Sequence, residues 1–286
     1  MSSNINLSSR TKTIALIAIF AALFAVLRRM DAIPMIGVPG ARFSLSDILP
    51  PIYGVILGPF TGGISVIIGT FLGIAMGKPV IFLFLDFLPA FVNTVAIGLL
   101  VKRKWWPVVL LYVALLVAFL INPLTSIFID VGGIAVPFVW LHIVALVVLL
   151  SPLARKAPKW VESVEQIKKV EKVEPAKQTN RLRKFVDSVK RIRYLTIGLF
   201  VFAFIGTMMQ HLMGNILYEV VLNQFYVVVG QDPIVATSAF PGIWYAAFFV
   251  YPLERLVLIV LAVVVGVPLV RVLKQTFFRS ERPTTP

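Results

Sequence analysis

Long apolar runs separated by short polar punctuation make up most of the chain. They fall at roughly 13–30, 44–57, 59–76, 80–101, 105–122, 134–150, 194–221 and 243–270. A helix needs about 20 mainly apolar residues to cross a bilayer. Continuous runs of this kind predict helices, not the alternating strands of a membrane barrel. The fold class is therefore all-α, a polytopic helical membrane protein. The runs 44–57 and 59–76 are short. Taken separately they give about eight spans; taken as one tilted helix over 48–76 they give seven. Gly58-Pro59 stands at the joint. Proline removes a helical hydrogen bond and glycine tolerates a sharp turn, so the pair favours eight. Pro50-Pro51 and Gly62-Gly63 interrupt the same stretch, Phe43–Ile74. Broken helices at membrane depth are tolerated only where they are buried in protein or line a cavity, so this stretch predicts a site.

Composition agrees with this reading. Of 286 residues, 59% are hydrophobic and 14% charged, and mean hydropathy is +0.93; a soluble domain carries about 25% charged residues. The absence of cysteine excludes disulfides, thiolate metal sites and cysteine nucleophiles. The apolar run Ile14–Leu27 ends in Arg28-Arg29, not in a small-residue cleavage site, and reads as a retained first span.

The net charge of +14 sits mostly between or beyond the spans, which points to membrane orientation and anionic lipid and not to nucleic acid. Lys102-Arg103-Lys104, the loop 154–193 and the tail with Lys274 and Arg279 fall on the cytoplasmic side with either seven or eight spans. With eight, both termini are cytoplasmic in the cell membrane, and Arg28, Arg29, Arg42 and Lys78 ring the external mouth, where they could attract an anionic substrate. The loop 154–193 holds thirteen lysines and arginines against five acids. Apolar residues recur at Val161, Val164, Ile167 and Val170, and again at Leu182, Phe185, Val186, Val189 and Ile192. These predict two amphipathic helices on anionic lipids, the second running into the span at 194. The external segment 222–242 is long enough to be a lid.

Polar residues inside spans are costly and mark function or packing. Asp86 and Asn93 stand seven residues apart, on one predicted helix face. Gln210, His211, Asn215, Tyr218 and Glu219 gather toward one end of the 194–221 run. Trp244, Tyr245 and Glu254 lie near the start of the last span, with Tyr251 and Arg255. Together these three helices would line one external-half cavity of aromatic walls and a few fixed hydrogen bonds, the chemistry of a small-molecule site. His142 has no polar neighbour at helical spacing and reads as structural; Asp47 suits an N-cap. There is no H-E-x-x-H, G-x-S-x-G, acidic metal cluster or P-loop, so no catalytic residues, metal or cofactor are expected.

The first span carries Ala18, Ala21, Ala22 and Ala25 in A-x-x-x-A spacing, which lets another helix approach closely. The segment FSLSDILPPIYGVILGPFTGG follows an external loop. Together these resemble the substrate-binding S component of energy-coupling factor (ECF) vitamin transporters. That family's second span opens with a phenylalanine and an acid and ends in a Gly-Pro turn followed by glycine. Phe43, Asp47, Gly58, Pro59 and Gly63 fit. Ala239–Val270 resembles the family's last span, with Pro241, Pro252 and Arg271 in place. The resemblance covers roughly 10–101 and 194–274, and implies a six-span core plus an extra hairpin.

On that reading residues 1–101 carry the first four spans, 102–153 an extra transmembrane hairpin, 154–193 a basic cytoplasmic linker, and 194–286 the last two spans and tail. The resemblance also implies a vitamin-like substrate. It further implies a transmembrane coupling protein, met through the four alanines, and two ATPase subunits that supply the energy. A membrane-embedded enzyme and an autonomous secondary transporter remain as alternatives.

Overall fold

The computed structural model describes residues 9–36, 42–162, 180–228 and 238–276. The helices are α1 (Ser9–Arg29), α2 (Leu49–Ala75), α3 (Leu88–Val101), α4 (Trp105–Leu120), α5 (Trp140–Leu150), α6 (Pro152–Glu162), α7 (Asn180–Val228) and α8 (Phe240–Thr276). Two short antiparallel ribbons interrupt them. Strand β1 (Asp31–Pro34) pairs with β2 (Arg42–Ser44), and β3 (Phe128–Val131) pairs with β4 (Ile134–Pro137). The second ribbon turns on Gly132 and Gly133, both at positive φ, as a tight two-residue hairpin demands.

The punctuated segment folds back on itself. Gly58 has φ 77° and ψ −177°, conformational space open essentially to glycine alone. A Cβ placed on Gly62 would sit 3.1 Å from the carbonyl oxygen of Tyr53. Nine residues of straight helix would separate these positions by about 13.5 Å. Both ends of α2 meet the Met30 end of α1. The Leu45 N–H donates to Met30 O at 3.0 Å, Arg29 donates to Gly77 O at 3.1 Å, and Lys78 Nζ meets Asp31 at 2.7 Å. The first arm runs antiparallel to α1, with the Tyr53 hydroxyl on Phe20 O. The second runs parallel to it, with Gly69 against Ala21 and Phe24 and Gly73 against Arg28. Helix α3 closes the layer, its Gly98 directly on the Gly58-Pro59 backbone.

Among the described residues, four helical stretches have the length and apolarity to cross a bilayer: Arg10–Arg29, Leu45–Ala75, Ser188–Val221 and Phe240–Leu273. Helices α5 and α6, bent by 67° at their junction, form a fifth candidate, and α3 and α4 are shorter apolar helices of 14 and 16 residues. By length α2 counts as one stretch, although its two arms fold back on each other at Gly58. The chain is an all-α polytopic membrane protein, with large apolar side chains such as Leu110, Leu253 and Val264 exposed on its flanks.

The hairpin 102–153 packs as part of the body. Its Phe138 ring lies 5.2 Å from both Trp244 and Tyr251 of α8. Tyr251 donates its hydroxyl to Phe138 O, and Trp244 Nε1 donates to Leu124 O, each at 2.8 Å. Of the expected first amphipathic stripe, Val161 lies in α6, while Val164, Ile167 and Val170 lie outside the described residues. Helix α6 buries Ala154, Ala157 and Val161, the last two where Gly198 of α7 allows close approach. Its Arg155, Lys156 and Lys159 are exposed. Helix α7 begins at Asn180 and runs unbroken into the apolar span. Linker residues 163–179 and lid residues 229–237 lie outside the described residues.

Candidate functional site

A cleft opens at the Met30 end of the bundle between α1, the β2–α2 entry, the loop before α3, α7 and α8. It has two lobes sharing Phe43, His211, Asn215 and Tyr218. The first lobe is charged, lined by Arg28, Asp47, Lys78, Asp86 and Arg255 among others. The second is aromatic, with Trp244, Tyr251 and Glu254. Their volumes are about 100 and 50 Å³. Ligand pockets typically measure about 300–1,000 Å³, so both lobes are smaller than that.

The charged lobe is held by bonds across four elements. Asn93 on α3 donates to Gln210 Oε1 at 2.8 Å, and Gln210 Nε2 donates to Asp47 at 2.9 Å. Asp47 also accepts the Ser44 N–H at 3.4 Å; it stands at the third position of the 3-10 turn Leu45–Ile48 that Ser44 caps, and not at the N-cap of α2 where it was expected, and its other oxygen faces α7. Arg28 pairs with Asp86 at 3.6 Å, and Arg255 pairs with Glu254 while its guanidinium lies 5.2 Å from the Phe43 ring centre. At the rim, the Lys78 ammonium hydrogen-bonds Asp31 and holds that carboxyl below the usual aspartate range, with Arg42 and Arg29 adding to the effect.

Of the residues singled out in the sequence, Asp86, Gln210, His211, Asn215, Tyr218, Trp244 and Glu254 line the cleft. Three do not. Asn93 is fully buried behind Gln210, its amide fitted against the bare Cα of Gly206. Glu219 is fully buried and bonded to Thr125 at 2.6 Å, because α7 turns that face toward the α4–β3 loop. Tyr245 is 52% exposed on the outer surface of α8. Asp86 lines the cleft but precedes α3. Its carboxylate accepts the N–H groups of Ile81 and Phe82 at 3.1 and 3.2 Å, and so organises a loop in which Leu83 and Phe84 take positive φ. Asn215 keeps a buried Nδ2 with no partner among the described residues. Phe43 and Asp47 join the site without having been assigned to it, and Tyr251 and Arg255, named beside the last-span candidates, line it as well. A buried arginine inside an apolar run was the signal for Arg255.

The four alanines do not share a face. Ala21 and Ala25 are buried, Ala21 beside Gly69 of the second α2 arm, whereas Ala18 and Ala22 are exposed. Only the latter pair is open to another protein.

His142 is fully buried on α5, with Nε2 3.0 Å from Nδ1 of His211 on α7. The two rings stack at 5.1 Å, and Tyr251 stacks on both, 4.9 Å from His211 and 5.5 Å from His142. His142 thus meets a polar partner on another helix, which spacing along its own helix does not show.

Apolar helices set around a polar cleft with aromatic walls define a polytopic membrane protein. A family model for the ECF-type riboflavin transporter, S component, matches residues 8–154, just over half of the chain, and the chain belongs to that family. No curated protein and no solved structure matches it. The protein is thus a substrate-specific component of the ECF type, a family of transporter subunits and not of enzymes. The bounds of the match take in 102–153 and end before α7. It therefore includes the hairpin expected to be an addition, and gives no support to the resemblance expected over 194–274.

Proposed function

We propose that the chain captures riboflavin or a close flavin relative in the two-lobed cleft and delivers it through an ATP-driven ECF importer. The observation that carries this reading is the shared boundary of the lobes. Asn215, with its unpartnered buried donor, stands beside His211 and Tyr218 between an aromatic lobe and a polar one. A flavin has matching parts: a planar ring system edged with acceptors, and a polyhydroxyl chain. The ring system would lie among Phe43, Tyr218, Trp244 and Tyr251, and the hydroxyls would meet Gln210 and the charged lobe.

Orientation follows the distribution of basic residues. The Gly58 end carries Lys102, Arg103, Lys104, Arg155, Lys156 and Lys159, all exposed. At the Met30 end, Arg28 and Lys78 are buried and paired with acids, which leaves Arg29 and Arg42 as the exposed cations there among the described residues. By the positive-inside rule the Gly58 end is cytoplasmic and the cleft external, with both termini inside. Ala18 and Ala22 offer a small-residue face to a transmembrane coupling protein that carries two ATPases. Exposed α6 cations meet anionic lipid headgroups.

The test is riboflavin fluorescence during titration with the purified chain. Saturable quenching is expected. Asn215→Leu removes a donor and weakens binding by about tenfold or more. An absence of binding to riboflavin and its close analogues would overturn the proposal.

A further inference from the structure

The histidine pair carries an inference about substrate specificity that rests on reading the cleft as the substrate site. Two imidazole nitrogens 3.0 Å apart can share only one proton between them. Either His142 Nε2–H donates to a bare His211 Nδ1, or the reverse. The far side of His142 decides. Its Nδ1 is buried with no partner among the described residues. If Nδ1 carried the proton, a buried N–H would be orphaned, which native structures rarely tolerate; a bare ring nitrogen is the cheaper state. The proton of His142 therefore resides on Nε2 and points at His211. With its Nδ1 occupied as an acceptor, neutral His211 carries its own proton on Nε2. His211 is half-buried and borders both lobes of the cleft. Stacking on Tyr251 holds both rings in place.

We propose that His142 is a positioning residue: by donating to His211 it locks that ring as the Nε2–H tautomer, which presents a hydrogen-bond donor to a carbonyl oxygen or ring nitrogen of the bound molecule. Hairpin 102–153 thereby contributes to recognition without touching the ligand. A ligand lacking an acceptor at that place leaves the donor unpaired and binds more weakly.

The chain has two histidines, so a full-length sample labelled with 15N-histidine yields only two imidazole spin systems. The expected long-range 1H–15N spectrum shows both as neutral Nε2–H tautomers. His142→Phe is expected to release the His211 tautomer and weaken flavin binding about tenfold. His142→Gln, whose side-chain amide can still donate, is expected to restore both, and in a His211→Phe background His142→Phe should add no further loss. A wild-type His211 in the Nδ1–H or doubly protonated form overturns the proposal. So does unchanged flavin affinity in a folded His142→Phe protein. If the wild-type chain binds no flavin, the substrate reading fails on its own, while the spectrum still decides the tautomer. If His142→Phe does not fold, the wild-type spectrum and the glutamine variant decide.

Discussion

Replacing Gly58 with alanine isolates the backbone cost of the turn that folds α2. A Cβ there meets only the end of the Lys102 side chain, 3.6 Å from Cε and 3.9 Å from Nζ, so no steric clash arises. The cost comes from φ 77° with ψ −177°. An L-residue held in that region is strained by about 1–3 kcal/mol. At about 2–4 °C per kcal/mol for a chain of this size, the thermal midpoint should fall by several degrees. Tryptophan fluorescence during heating in detergent reads this out, since the chain has five tryptophans. Gly58→Asn should be no better than alanine, because asparagine tolerates the left-handed helical region and not this one. Topology supplies an independent reading. With no native cysteine, a single introduced thiol is unique. Phe60→Cys and Lys102→Cys should label from one side of the membrane and Gly77→Cys from the other. An unchanged midpoint in Gly58→Ala, or Phe60 and Gly77 thiols labelled from the same side, would refute the fold-back.

Two further outcomes follow from local geometry. Ala22→Leu should leave folding and flavin binding intact but reduce co-purification with the coupling protein. Ala21→Leu, directed into the packed core against Gly69, should destabilise the chain by about 1–3 kcal/mol; equal behaviour of the two variants would remove the assignment of faces. The Asp31–Lys78 pair should give the rim a mild acid sensitivity. The carboxyl is held below its ordinary value, chiefly by the Lys78 hydrogen bond. Its contribution is thus present above about pH 3.9, the unperturbed aspartate value, and is lost as pH falls through the lower folded one. Lys78→Met should flatten that part of the stability–pH curve, and an unaltered curve would count against the pairing.

Apolar run length and composition made the class legible from sequence, because the bilayer demands long continuous helices. The Gly58-Pro59 turn was legible for a similar reason: it is a local backbone requirement, written in two adjacent residues. Seven of the ten candidate binding positions reach the cleft because helical spacing puts His211, Asn215 and Tyr218 on one face. Spacing could not tell which face of α7 met the cleft and which met the α4–β3 loop, and so Glu219 was misplaced. It could not tell Ala18 and Ala22 from Ala21 and Ala25, since both pairs share one motif and only the neighbouring α2 arm buries one of them. Nor could it pair His142 with His211, which stand 69 positions apart and meet only because α5 packs against α7. Local propensity and hydropathy are properties of neighbours along the chain. Partners across helices are set by packing, and packing decided how the cleft is built.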